Sequence, residues 1–349
     1  MKRCLAYLLI ATTLCVSPVM AQAGGRVFPL QVVSATVVGE DAELAEITAA
    51  AIGPSGNVYV VDHMAFNVSA FSPDGRMMWR VGRKGQGPGE YTFPYRVAAA
   101  PDGTVLVFDL GRNDVTRLSS EGRFIDRASI PLRFPVTEDM VATAGEVLIS
   151  GYTSTLGSGR QHGIHRFRRR GADLVHAGSF GPLPTVRDTA ILRYWGAGDI
   201  SRAANGDLLF ALALPYVVYR FDPAGRQKMA ARPTFRVRGT PDDVVKIERQ
   251  GREARISNTR VDVDRPWTIV EVTNGMILVT RLKSQVRHWD LYTAAGAFVG
   301  SREYPADWGV AVGFDRVRNL LWTVATHDDA PVLVRHQLAG APTPSRRSR

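Results

Sequence analysis

Three short groups in this chain carry side chains capable of chemistry: Asp62-His63, Asp109 with Arg112 and Asn113, and His327-Asp328-Asp329. Carboxylate and amide oxygens suit a hard divalent ion such as Ca2+, with Asp62, Asp109 and Asp328 as the candidate ligands. A histidine beside a carboxylate suits general acid–base work. Arg112, with Arg83 and Lys84 upstream, suits an anionic ligand instead. A structural reading stands against these. Asp62 and Asp109 end β-rich runs at the same phase of a repeat, where carboxylates bonded to backbone N–H groups would recur. His162 and His165 have a spacing that suits a helical metal pair, yet the segment reads as loop into strand. Asn67-Val68-Ser69 matches a glycosylation sequon but overlaps the repeat. No Gly-x-Ser-x-Gly elbow and no lysine-nucleophile motif occurs.

The element that positions these groups is a repeated strand–turn–strand unit. A short apolar strand meets a tight turn at Gly56, a second strand runs to Asp62, and a second pair turns at Gly75. The unit recurs with turns at Gly103 and Gly122. Gly56 and Gly103 are 47 residues apart, the length of a four-stranded propeller blade. Weaker copies begin near residues 144, 200, 267 and 310, giving six. Residues 27–38 are left over as a β-rich run, and the sixth copy supplies only three strands. The expectation is an all-β, six-bladed β-propeller over residues 24–340, its N-terminal strand closing the last blade and removing both exposed edges.

Between the first two copies lies the Gly-rich stretch at residues 82–91, closed by Pro94. Gly-rich segments can aim N–H groups at a phosphate, but no Gly-Lys-Ser/Thr ends this one and no helix follows. The better reading is a structural turn: Gly85, Gly87 and Gly89 permit unusual φ, Pro88 stiffens it, and Glu90 accepts nearby N–H bonds. Arg83, Lys84 and Tyr91 remain candidate ligand contacts. Residues 85–91 with Pro94, and the Val-x-Asp…Phe…Asp-Gly pattern from Val60 to Gly75, resemble the bacterial six-bladed β-propeller family related to NHL repeats. The resemblance is good over residues 46–127 and thins beyond. It implies the fold and no particular activity. Lactonase-type six-bladed propellers hold Ca2+ at the channel, but no Glu-plus-two-Asn set recurs on the inner strands here.

In an up-and-down blade the tight glycine turns share one end, and the longer connections share the other. The long excursions, residues 82–95, 151–161, 181–196 and 230–265, all fall on the second end, which is therefore the expected functional face. It carries Asp62, His63, Asp109, Arg112 and His327. Thr240-Pro241-Asp242-Asp243 reads as an N-cap, so the 230–265 insertion is expected to hold a short helix.

Residues 1–23 read as an export leader: Lys2 and Arg3, an apolar core, then Ala21-Gln22-Ala23 as the cleavage pattern. Pro18 interrupts the apolar run, which is too short to span a bilayer. Leu14 is not the small residue that a lipidated Cys15 would require. Both cysteines lie in the leader, so the mature chain offers neither disulfide nor thiolate. The formal charge of +10 arises mostly from scattered arginine, since only five residues are lysine. It does not point to nucleic acid, because neither a recognition helix nor an aromatic-and-basic ribbon is present. Residues 341–349 read as a basic disordered tail. The expectation is a periplasmic or secreted monomer without a cofactor, binding a ligand or an envelope protein through its loop-rich face. The alternative is a Ca2+- or other metal-dependent hydrolase, lactonase or lyase at the channel mouth.

Overall fold

The computed structural model describes residues 28–39, 42–153, 162–186, 192, 198–239, 245–250, 253–258, 264–283 and 286–339. The expected leader, residues 1–23, and the expected basic tail, residues 341–349, lie outside them. Six four-stranded antiparallel sheets are arranged as blades. Their innermost strands are Ile47–Ile52, Pro94–Ala99, Val136–Ala142, Gly198–Arg202, Arg265–Glu271 and Val310–Asp315. In each blade the chain then steps outward. The sixth blade takes its outermost strand from the N-terminal side: Val32–Val38 pairs antiparallel with Ala330–Leu338, from Val32 opposite Leu338 to Val38 opposite Leu333. The ring closes as the leftover strand implied, and no blade edge is left at the seam.

The blades stick because their middle strands are apolar on both faces. All five residues of Val58–Asp62, Val105–Asp109 and Leu208–Leu212 are buried. Tyr59, Val61 and Val68 meet Val97 and Val107 between blades one and two. Val58, Val60 and Phe71 meet Trp322 and Leu333 across the closure. Each such side chain contributes about 1.5–3 kcal/mol on burial.

The tight turns are alike where the sequence repeats. Gly56, Gly103 and Gly206 donate to the carbonyls of Gly53, Ala100 and Ala203 at 2.9, 3.0 and 3.0 Å. Their φ values of 87°, 87° and 85° favour glycine at each. These turns share one end with those between third and fourth strands.

The 230–265 insertion differs from expectation. In place of the expected helix, Val245–Gln250 and Glu253–Asn258 form a two-stranded hairpin; Thr240 itself lies outside the described residues. The sequence Val245-Lys246-Ile247-Glu248 alternates apolar and charged residues, a period of two, and Gly251 breaks the run. Among the described residues no helix is long and apolar enough to cross a membrane.

Candidate functional site

The Gly-rich stretch is a self-satisfied clasp. Tyr91 N–H donates to Arg83 O (2.9 Å), Gly85 N–H to Tyr91 O (2.9 Å) and Glu90 N–H to Gly87 O (3.1 Å). Glu90 in turn accepts from Gly87 N–H and Arg83 Nε, both at 2.8 Å; these bonds hold its carboxyl below the usual carboxylate range. With those amides engaged, the phosphate-cradle reading has no support. Arg112 comes from blade two, donates to Glu90 O at 2.6 Å and pairs with Asp114 at 2.9 Å. Arg127 donates to Gly87 O at 2.7 Å. Tyr91 is fully buried in the core between blades one and two, so it is a packing residue rather than an exposed contact. A Cβ at Gly82 would fall 2.7 Å from its ring, and φ there is 107°, so glycine is needed.

The two repeat-phase aspartates behave as backbone clamps. Asp62 accepts from the N–H groups of Ala45, Glu46 and Ala65 at 2.6, 3.2 and 3.0 Å. Asp109 accepts from Thr92 N–H (2.6 Å), Phe93 N–H (3.1 Å) and Arg112 N–H (3.1 Å). Both are buried. With its partners Asp109 and Asp114 buried, Arg112→Ala is expected to cost about 3 kcal/mol in urea unfolding. Arg83→Ala, whose side chain is 81% exposed, should leave the unfolding midpoint nearly unchanged.

His63 lies 3.4 Å from Glu46 and stacks on Phe93 at 4.6 Å, and Phe93 lies 5.6 Å from Tyr95. Lys84 sits over the Phe66 ring at 5.4 Å. His327, Asp328 and Asp329 are exposed at the turn of blade six. The sequence-derived candidates thus lie in blades one, two and six and do not converge on one point. Among the described residues no three His, Asp or Glu group as a metal-ligand set.

What does converge is a ring of inner-strand side chains. Five of the six inner strands carry a bulge, at Thr48, Tyr95, Glu138, Trp267 and Val312. A bulge re-aims the residues that follow it. Three residues before the ends of their strands stand Ala49, Arg96, Asp139, Asp199 and Thr268, in blades one to five. Arg96 reaches both neighbours, donating to Thr48 O (3.0 Å) and Glu138 O (2.5 Å), and packs on Tyr95 at 4.0 Å. The Asp139 and Asp199 carboxyls are near enough for each to act on the other's proton. Asp199 also accepts from Ile269 N–H at 2.9 Å, so the links pass from blade one to blade five. Burial of Asp139 in the channel wall pushes its carboxyl up to about 7, against the nearby Arg96 charge. Asp199 is raised well above its ordinary value by burial and by the Asp139 charge. Each carboxyl of the pair therefore keeps a proton to higher pH than a free aspartate does.

These residues face a cavity of about 470 Å³ at the loop-rich end of the channel. Trp267, 47% exposed, lines its mouth. Thr48, Ser201 and Thr268 line it too, with hydroxyl oxygens that are buried and without a protein partner. A cavity of similar size, about 480 Å³, occupies the tight-turn end. Asp139 lines both cavities, and the other carboxylates here are already committed: Glu271 to Ala204 N–H (2.7 Å) and Arg316 (2.8 Å), Asp315 to Arg318 (2.8 Å). The loop-rich end is the candidate site. Sequence reasoning missed Arg96, Glu138, Asp139, Asp199 and Trp267. The available signal was a polar residue at equal phase in successive inner strands.

No curated protein matches this sequence. Among solved structures, a member of the DUF4221 family from Bacteroides vulgatus is similar at 10% identity and a TM-score of 0.59, over 89% of this chain and 97% of that one. A gluconolactonase from Xanthomonas campestris is similar at 11% identity and a TM-score of 0.53, over 89% and 95%. At such identities the likeness is one of fold. Residues 40–152 match the family DUF5128, described as a 6-bladed beta-propeller. The match covers about a third of the chain, and by architecture over the whole ring the chain is a six-bladed β-propeller.

Proposed function

We propose that the protein is an exported binding propeller that seats a small polar ligand in the channel mouth at its loop-rich end. The carrying observation is the cavity where the Asp139 and Asp199 carboxyls and Arg96 converge beside an exposed tryptophan. The volume lies within the range of small-molecule sites, and the apolar platform beside polar groups is their usual construction. The leader-like N-terminus supports export, and the absence of cysteine from the mature chain is compatible with any redox compartment. A metal-assisted hydrolase at the mouth has no comparable observation in its favour.

The test is a panel of small sugars, amines and carboxylates in thermal-shift format, run on the mature protein and on Trp267→Ala. At least one compound class is expected to raise the melting temperature of the wild type and not of the variant. Shifts that persist in Trp267→Ala and in Asp199→Asn would place binding elsewhere.

A further inference from the structure

We propose that the channel-mouth cavity selects a primary ammonium group carried on an apolar arm, with the Asp139–Asp199 pair and its neighbours accepting the N–H bonds and Trp267 supporting the arm. The inference rests on the channel mouth being the binding site and adds the class of ligand.

The first argument is charge. The formal charge of the chain is +10, yet the cavity is lined by five carboxyl groups, Glu46, Glu138, Asp139, Asp199 and Asp329, against two guanidiniums, Arg96 and Arg287. A focused negative potential in a basic protein attracts cations to that one place.

The second is the balance of donors and acceptors. Arg96 directs its N–H groups at the carbonyls of Thr48, Tyr95 and Glu138, and Arg287 donates to Ala306 O. Part of the lining donor set is thus committed to the backbone. Carboxylates accept when ionised, and the hydroxyls of Thr48, Ser201 and Thr268 can accept or donate. An anion would meet five carboxyl groups. An ammonium carries three donors and no acceptor, which complements the wall. Trp267 offers an exposed ring at the entrance, where a cation and its alkyl or aromatic arm both gain.

The third is the proton that the pair keeps, which a bound cation replaces. Arg96 and Glu138 face the pair from blades two and three, and Ile269 N–H caps Asp199 from blade five. At the rim stand Arg265, 3.8 Å from Glu138, and Glu46 beside His63. Protonated, the pair carries one negative charge and holds a proton where the ammonium would sit. Deprotonated, it carries two and accepts. Ammonium affinity therefore rises with pH through the neutral range, and binding releases protons.

The experiment is calorimetry with benzylamine, benzyl alcohol and benzoate, which share a ring and differ in charge, at about pH 5.5 and about pH 8. Two buffers of different ionisation enthalpy count the protons released. Benzylamine is expected to bind at least about tenfold more tightly than benzyl alcohol at the higher pH, with weaker binding at the lower. In Asp139→Asn, affinity falls and its pH dependence flattens. Nα-acetyl-lysine N-methylamide in parallel separates two sources of the group. Tighter binding than benzylamine indicates a lysine side chain of a peptide, and weaker binding a free amine. If benzyl alcohol or benzoate binds as well as benzylamine, the ligand class is wrong while the cavity remains the site. If none of the three binds and no panel compound shows a Trp267-dependent shift, the site itself falls. If calcium chloride displaces benzylamine stoichiometrically, the pair is a metal site and the ammonium assignment is overturned.

Discussion

Arg281→Met should lower stability in urea or guanidinium by about 3–5 kcal/mol. Arg281 is 3% exposed and lies between two buried carboxylates. It donates to Asp264 Oδ1 at 2.5 Å and to Asp290 Oδ2 at 2.6 Å, with Ser301 Oγ at 3.0 Å and the Phe235 ring 4.5 Å away. Asp290 belongs to blade five, whereas Asp264 ends the 230–265 insertion. There Arg238 N–H donates to Asp264 Oδ2 (3.0 Å) and Asp264 N–H to Arg238 O (3.1 Å), pinching the base of the excursion shut. The guanidinium thus fastens the largest insertion to the ring. Methionine matches much of the arginine stem but leaves two carboxylates buried and unpaired. The triple variant with Asp264→Asn and Asp290→Asn removes those charges and should recover most of the loss, because the cost lies in the orphaned ions and not in the missing attraction. A single-variant loss below about 1 kcal/mol would mean that water reaches the carboxylates and that the triad contributes as a surface pair does.

The contrast between this triad and the channel ring shows which features a sequence carries openly. The 47-residue repeat and the spare strand at residues 27–38 led to the six blades and their closure, because turn glycines and β-rich runs are local signals. The structural reading of Asp62 and Asp109 was legible for the same reason: equal phase in successive blades implies equal backbone partners. The ring at Arg96, Asp139 and Asp199 was not, because the alternation that tells core from surface is interrupted by a bulge, which occurs in five of six inner strands. A side chain aimed along a propeller axis meets partners from two other blades, and those meetings depend on ring closure. The strand at Val245–Gln250, where the expected helix would have continued, has a related origin. An N-cap signal states where a helix can start, while the period of two in Val245–Gln250 states what the following residues prefer.

The proton kept at Asp139 in that ring gives the second large effect, in stability against pH. Asp139→Asn should stabilise the protein at about pH 8 by roughly 2–4 kcal/mol, with the gain vanishing near pH 4. Burial raises the Asp139 carboxyl to about 7 in the folded state, far above its value in an unfolded chain. Between those values the folded protein binds a proton that the unfolded chain has released, so the contribution of Asp139 to stability falls as pH rises toward 7 and is level above it. Asparagine is nearly isosteric, can donate to Asp199, and has no proton to lose, so it avoids the cost. The wild-type curve alone would obscure this. His165 and His336 are lowered to about 4 by burial, so they act with opposite sign, and stability falls as pH drops below their unfolded value. The difference between variant and wild type, measured by denaturant melts at matched pH, removes the histidines, which are common to both chains. A difference that grows from near zero in acid to its plateau above neutrality requires a carboxyl held protonated in the channel wall. A difference independent of pH would mean that Asp139 and Asp199 are both ionised in the folded protein, with Arg96 and solvent sufficient to hold two charges side by side.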